Sequence, residues 1–253
     1  MLIDSPRITE RDRYLWGVWL QADKVHSRSD RFVRNTERTK RIIYDFLSRD
    51  KPYFTSLSWG KDSVVLAHMM HSAGSLRKYV YIRNLAREPE GSIAVRDSFL
   101  VRFPIDYEEI VYDYSDADET YYDKNGNPKK WQYILADLQC RYGCHVTGIR
   151  YDESAKRRLR FKRFGLETGN SFAPFRIMDA QDIFAYLFKY DLPVHPNYAM
   201  TGGGRWDKYR IRVAAVGNRE GDGIGRAEWE REYYADILNR IERLCFENYA
   251  GQT

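Results

Sequence analysis

Disulfide chemistry has little to work with here: three cysteines in 253 residues cannot build a framework of bridges, which agrees with a reducing compartment. No stretch approaches the ~18 consecutive apolar residues that a helical membrane span needs. The opening MLIDSPRITERDR has no apolar run behind a basic patch, so no secretion signal is expected and the chain is assigned to the cytoplasm. Internal repeats and low-complexity tracts are missing, which excludes solenoids and disordered tails. Strong charge of one sign is missing too. Lys+Arg 41 against Asp+Glu 36 gives +5, which permits a polyanionic partner without requiring one. What is plentiful is aromatic: 15% of the chain, with 20 Tyr, inside a 43% apolar composition that predicts a folded core.

Along the chain, residues 1–48 are polar and basic with anchors at helical spacing (Tyr14, Trp16, Trp19, Leu20; then Phe32, Val33, Ile42, Ile43, Phe46), predicting two helices that clasp the rest or bind a partner. Residues 49–200 alternate short β-rich runs with helical patterns. Strands are expected at Tyr53–Ser58, Tyr79–Ile82, Ile110–Tyr112 and His145–Ile149, with a short extended piece at Phe172–Ile177. Helices are expected at Asp62–His71, Ile93–Val101, Trp131–Leu138, Asp152–Phe164 and Ala180–Tyr190, and a turn-rich loop at Lys124–Pro128. Such alternation predicts an α/β fold with a doubly wound, mostly parallel sheet and helices on both faces. Residues 201–253 read as a Gly/Arg-rich loop and one final helix, Arg226–Leu244, packed on the same domain.

The most informative segment is Ser58-Trp59-Gly60-Lys61-Asp62-Ser63, between the first strand and its helix. A helix start presents unpaired N–H groups and partial positive charge, the ingredients of a phosphate site. Gly60 lets the backbone approach an anion, Ser58 and Ser63 offer hydroxyls, and Lys61 adds a full charge. The spacing is not that of the Walker loop, and the alternative reading is an ordinary strand–turn–helix junction capped by Asp62 or Ser63.

These residues resemble the PP-loop (Ser-x-Gly-x-Asp-Ser) of the ATP-pyrophosphatase superfamily. The form with Lys before Asp-Ser resembles the branch that holds phosphoadenosine-phosphosulfate (PAPS) reductases and the ATP pyrophosphatases of DNA phosphorothioation. Three later stretches fit the same branch in the same order. Arg96-Asp97 resembles its Phe-Arg-Asp element. Gly148-Ile149-Arg150-Tyr151-Asp152-Glu153-Ser154, with Arg157 and Arg158 following, resembles its Gly-Ile-Arg-x-Asp-Glu-Ser…Arg stretch. Pro174 to Leu187, then Leu192-Pro193-Val194-His195-Pro196-Asn197-Tyr198, resembles its Pro-anchored helix and Leu-Pro-x-His-Pro-x-Tyr turn, with Met178 where Trp is common. His195 reads as a packed loop histidine rather than a base.

The resemblance implies ATP and Mg²⁺ as cofactors and attack at the α-phosphate with release of pyrophosphate. It assigns nucleotide binding to Ser58, Trp59, Gly60, Lys61, Asp62, Ser63, Gly148, Arg150, Ser154, Arg157 and Arg158, the chemistry to Lys61, Asp62 and Arg150, and the metal to Asp62. Adenine is expected near Leu57, Tyr81 and Ile82, while Arg83-Asn84-Leu85 replaces the Asp-Thr-Gly of many reductase-like members and leaves Glu88 and Glu90 as stand-ins. The partners implied are an adenine nucleotide, a sulfur donor such as a cysteine desulfurase, nucleic acid, and a second copy of the chain.

The basic run from Lys156 to Arg163 reads either as a solvated face or as a polyanion contact, and the Arg- and Trp-bearing stretch from Gly202 to Glu232 as a lid or a nucleic-acid contact. Two rivals remain open. A thiol-dependent PAPS reductase would use Cys245, but Arg243-Leu244-Cys245-Phe246-Glu247 lacks the Glu-Cys-Gly-x-His pattern. A non-catalytic nucleotide- and DNA-binding protein would keep the loop alone. Cys140-Arg141-Tyr142-Gly143-Cys144-His145 offers three soft ligands without a local fourth, or a persulfide carrier.

Overall fold

The computed structural model describes residues 1–85, 88–112, 130–217 and 225–250, with the side chains of Tyr112, Lys130 and residues 244–250 set aside. The expected loop at Lys124–Pro128 therefore lies outside the described residues. Two helices, α1 (Glu10–His26) and α2 (Asp30–Leu47), precede strand β1 (Tyr53–Leu57) and helix α3 (Lys61–Ser72). Then come β2 (Tyr79–Asn84), α4 (Ser92–Arg102), β3 (Tyr107–Tyr112), α5 (Lys130–Tyr142), β4 (Cys144–Val146), α6 (Ala155–Phe164), β5 (Ser171–Phe172) and α7 (Ala180–Lys189). A 3-10 turn at Pro196–Tyr198 leads to α8 (Arg226–Tyr233) and α9 (Ala235–Ala250).

The five strands form one parallel sheet ordered β3-β2-β1-β4-β5. Chain order runs outward from β1 to one side and then from β4 to the other, so the direction of winding reverses between β1 and β4. In open parallel sheets that crevice, beyond the carboxyl ends of the strands, is where ligands sit. Alternation along β1 divides the interior. Phe54 joins Val80 and Leu138 of α5 on one face. Tyr53 and Leu57 join the larger core with Val64, Val65 and Met69 of α3 and Ile183, Phe184 and Leu187 of α7 on the other. Helices cover both faces, as the doubly wound reading requires.

Residues 1–48 lie against that larger core. Trp16, Phe32, Ile43 and Phe46 are buried in it, and Asp182 fixes the arrangement. Its carboxylate, fully buried, receives Asn35 Nδ2 at 2.8 Å and the Asp179 backbone N–H, and stands 2.7 Å from His26 Nε2. Asp12 does the same for the C-terminal segment. It accepts the backbone N–H groups of Thr201 and Gly203 and the Tyr233 hydroxyl while capping α1 in a reciprocal box with Thr9. A buried carboxylate holding this many donors ties distant segments into one body.

One expectation is corrected. The last helix is not continuous from Arg226 to Leu244. At Tyr234 the backbone leaves the helical region (φ −134°), where the buried ring sends its hydroxyl to Asn197 Oδ1 at 2.5 Å. Helical periodicity continued through this point, and the tertiary contact broke the helix.

Candidate active site

Where β1 ends, the chain turns through Ser58-Trp59-Gly60 into α3. Helices α1, α2, α6 and α7 begin on side chains that accept a first-turn N–H. Helices α3, α4 and α8 begin on Gly60, Gly91 and Gly225, with no cap from the N-cap side chain; of these three starts, that of α3 lines a cavity. The cavity has a volume of about 440 Å³, within the range typical of small-molecule sites. Ser58, Gly60, Lys61, Asp62 and Ser63 line the cavity from the turn, and Gly148, Ile149 and Glu153 from the loop after β4. Leu57, Tyr81 and Ile82, the expected adenine contacts, line it on the β2 side, and Tyr198, Arg212 and Val213 close it from the C-terminal part of the chain.

Glycine is needed at two places for close approach. A Cβ on Gly148 would stand 3.0 Å from the Asp62 carbonyl oxygen, and one on Gly60 would stand 3.1 Å from the Tyr198 hydroxyl. The two loops thus touch backbone to backbone. Trp59 adopts a left-handed φ of 54°, which drops its ring into the core against Phe99 and Tyr107. That placement corrects the expectation of a nucleotide contact: the Trp59 ring anchors the turn from behind and does not line the cavity.

The charged centre is a buried triad. Lys61 and Arg150 are each 3% exposed and share Asp62: Lys61 Nζ lies 3.0 Å from Oδ2, and Arg150 Nη1 bonds Oδ1. Burial works against the Asp62 carboxylate, yet the charges of Lys61 and Arg150 outweigh it and hold its pKa below the ordinary value. Burial lowers the Lys61 ammonium, with Asp62 offsetting part of the loss. Burial also opposes the Arg150 charge, but Asp62, Asp152 and Glu153 raise its pKa.

Two further expectations change. Arg150 does not face the cavity. It donates to Asp62 and, through Nε, to Asp152 at 2.9 Å, so it is a positioning residue. Asp62 has both oxygens committed to cations and does not fit the role of a Mg²⁺ ligand.

Ser63 Oγ donates to the Gly60 carbonyl at 3.0 Å and accepts the Ser58 N–H at 3.2 Å, which closes the turn into a cup. Tyr198 Oη accepts the Lys61 backbone N–H at 3.0 Å. Ser154 is the N-cap of α6, holding the Arg157 N–H at 3.2 Å, and is not in the cavity wall. Of the basic run on α6, Arg157 and Arg160 reach the wall and Arg158 does not.

The remaining stretches stand apart. Arg96 pairs with Asp97 and Glu109, Glu88 accepts from Tyr81 and Arg83, and Glu90 pairs with Arg7. Arg96, Asp97, Glu88 and Glu90 do not line the cavity. His195 is buried, with Nδ1 accepting the Asn197 N–H, and burial pushes it down to about 3. Cys140, Cys144 and His145 do not converge as a ligand set among the described residues. Cys144 and His145, adjacent on β4, point to opposite faces of the sheet. Burial pushes the Cys144 thiol up to about 11, which makes it inert. The side chain of Cys245 lies outside the described residues.

Sequence reasoning missed Trp131, His145, Thr147, Ser171 and Tyr198 as parts of this wall. They come from four separate parts of the chain (α5, β4 and the residue after it, β5 and the 3-10 turn), and only the fold joins them.

This is a doubly wound α/β architecture, with its cavity where the winding of the parallel sheet reverses. The fold is similar to that of phosphoadenylyl-sulfate (PAPS) reductase from Candida auris, solved as a phosphate complex. The TM-score is 0.51 at 9% identity, over 71% of this chain and 89% of that one. NMN synthetase from Francisella tularensis superposes with TM-score 0.49 at 11% identity, over 84% and 93% of the two chains. At such identity the first likeness speaks for the fold alone. No family model matches the chain and no curated protein matches its sequence. No helix among the described residues is long and apolar enough to cross a membrane.

Proposed function

We propose that the protein is an adenylating ATP pyrophosphatase of the PAPS reductase-like type. The observation that carries this reading is the start of α3 on Gly60 behind the Ser58–Ser63 cup, opening into a nucleotide-sized cavity at the point where the sheet reverses its winding. The triphosphate lies on the turn, with adenine toward Leu57, Tyr81 and Ile82. An acceptor oxygen attacks the α-phosphorus, the bond to the bridging oxygen of the β-phosphate breaks, and pyrophosphate leaves. Such a transfer needs positioning and charge stabilisation more than covalent help. Lys61 supplies charge at the turn, Arg157 and Arg212 supply it from the opposite wall, and Asp62 with Arg150 holds Lys61 in place.

The acceptor belongs to sulfur transfer or to nucleic-acid modification of the phosphorothioation type. Helix α6 favours the second. It carries no acidic residue, and Lys156, Arg158, Lys162 and Arg163 are exposed on its surface, a pattern suited to a phosphate backbone.

The test is product analysis with ATP labelled at the α- and γ-phosphates. Pyrophosphate with label retained on an adenylated product or AMP, abolished in Lys61→Ala, supports the reading. Release of ADP and inorganic phosphate, or no nucleotide binding, ends it. Sulfite release from PAPS that disappears in Cys245→Ser would select the reductase instead.

A further inference from the structure

The cavity has a second charged wall, of which the nucleotide reading uses only Arg157 at the rim. On the sheet face covered by α5, His145 and Thr147 project from β4 on the same side, as residues two apart do. Ser171 of β5 stands directly beside His145 in register, and Phe54 of β1 stands on its other side with its ring stacked on the imidazole at 5.4 Å. Interior strands of parallel sheets are normally apolar because helices cover them. Here His145, Thr147 and Ser171, with Ser56 of β1, instead make a polar floor, and all four line the cavity.

Over this floor, α6 sends Arg160. Its Nη2 donates to Ser171 Oγ at 3.0 Å. Its Nη1 is buried and has no hydrogen-bond partner among the described residues, and the same holds for His145 Nε2. Arg157 lines the same wall one turn earlier, and Glu153 stands at the mouth, where its carboxylate is held by the Arg150 backbone N–H. Buried polar groups are ordinarily paired, because an unmet donor loses its water and gains nothing. Two unmet nitrogens on one wall of a cavity, one of them on a permanent cation, mark a place shaped for a ligand oxygen. Burial also keeps His145 neutral, with its pKa at about 4, and Arg160 acts in the same direction, so the imidazole can donate from Nε2 without adding charge.

We propose that Arg160, His145 and Ser171, with Arg157 at the rim, form a second oxyanion subsite for a phosphate or sulfate group carried by the acceptor. The topology separates it from the nucleotide. Adenine is assigned to the β2 side of β1 and the triphosphate to the turn above β1, while this subsite lies over β4 and β5 on the opposite side. An acceptor anchored there reaches the α-phosphate from the side away from the base. The proposal rests on the nucleotide reading for its meaning, but its binding test is independent.

Calorimetry on the full chain, saturated with α,β-methylene-ATP, provides that test, with inorganic sulfate and inorganic phosphate titrated in separate arms. The expected result is one further anion per chain, weakened about ten-fold or more in Arg160→Gln, as expected for loss of a charged hydrogen bond. Affinity for the ATP analogue should stay within about two-fold in that variant, which also shows that it is folded. Ser171→Ala, which removes a partner of Arg160 without touching its charge, should weaken the anion less. A preference for either anion supports the subsite and says which group the acceptor carries. The proposal is overturned if no anion binds beside the nucleotide, if the anion displaces the nucleotide, or if Arg160→Gln binds it as tightly as the wild type. Absence of nucleotide binding, with anion binding still lost in Arg160→Gln, would sink the nucleotide reading and leave the subsite standing.

Discussion

Two buried lysine–aspartate pairs in this molecule look alike and do opposite things. Lys61 and Asp62 meet at 3.0 Å, with the ammonium 5.0 Å from the Tyr198 ring centre. Lys208 and Asp23 meet at 2.7 Å, with the ammonium inside a cage of Trp16, Trp19, Phe184 and Tyr209. Burial dominates both, but the carboxylates shift in opposite directions. Asp23 is raised, because burial outweighs the charge of Lys208. Asp62 is lowered, because Arg150 adds a second cation against the same burial. One pair is closed and balanced, and serves to fasten α1 to the C-terminal segment. The other is shared with Arg150 and opens onto a cavity. Ligand chemistry belongs with the pair that lines the cavity.

The widest gap between the two should appear on truncating the lysines. Lys208→Ala leaves Asp23 buried and unpaired, so it should cost about 3–5 kcal/mol in urea unfolding. Activity per folded molecule should be unchanged. Replacing both partners, Asp23→Leu with Lys208→Met, should return most of that loss, since well-packed apolar groups often match a buried ion pair. Lys61→Ala reverses the pattern. Asp62 keeps Arg150, so stability should fall by only about 1 kcal/mol while pyrophosphate release drops about 100-fold. If both alanine variants lose stability equally and activity equally, the contrast drawn here is wrong.

A smaller effect should sharpen the site side of the comparison. Gly148→Ala places a Cβ against the Asp62 carbonyl, so one loop must yield by a few tenths of an ångström. An increase of about three- to ten-fold in KM for ATP, with a stability loss of about 1 kcal/mol, is expected from such a shift. An unchanged KM would mean the two loops do not position each other.

The last effect concerns pH. His68, His145 and His195 are pushed down by burial, to about 4, 4 and 3 from an ordinary 6.5. Their folded pKa values lie below the unfolded ones, so below pH 6.5 the unfolded chain binds more protons. Stability should therefore be full above that pH and decline as pH falls toward 4. Urea midpoints measured at pH 7 and pH 5 check this, and His195→Gln should show the smaller drop. A midpoint independent of pH over that interval would contradict the burial of these rings.

Much of the scaffold was legible. Short β-rich runs between helical patterns predicted β1, β2 and β4 with their helices, and the Gly60 turn announced a helix start. Local chemistry decides such features, so local sequence displays them. Other features were hidden. Trp59, inside the motif, looked like a ligand contact, and its left-handed backbone turned it into the core instead. Arg150 looked like a phosphate ligand, and Asp62 and Asp152 claimed it from behind. Arg226 to Leu244 kept helical periodicity through Tyr234, where a single buried hydroxyl partner on Asn197 broke the run.

The sequence by itself determined the parallel α/β frame and the turn at Ser58–Ser63, because strand alternation, helix periodicity and glycine placement act over a few residues. Only the tertiary structure decided which charges remain free. Whether a buried lysine or arginine faces a ligand or a carboxylate depends on side chains far apart in the chain. Asp62 is 88 residues from Arg150, and Asp23 is 185 from Lys208. Electrostatic energy at short range in a low-dielectric interior is set by such neighbours, and no local pattern records them.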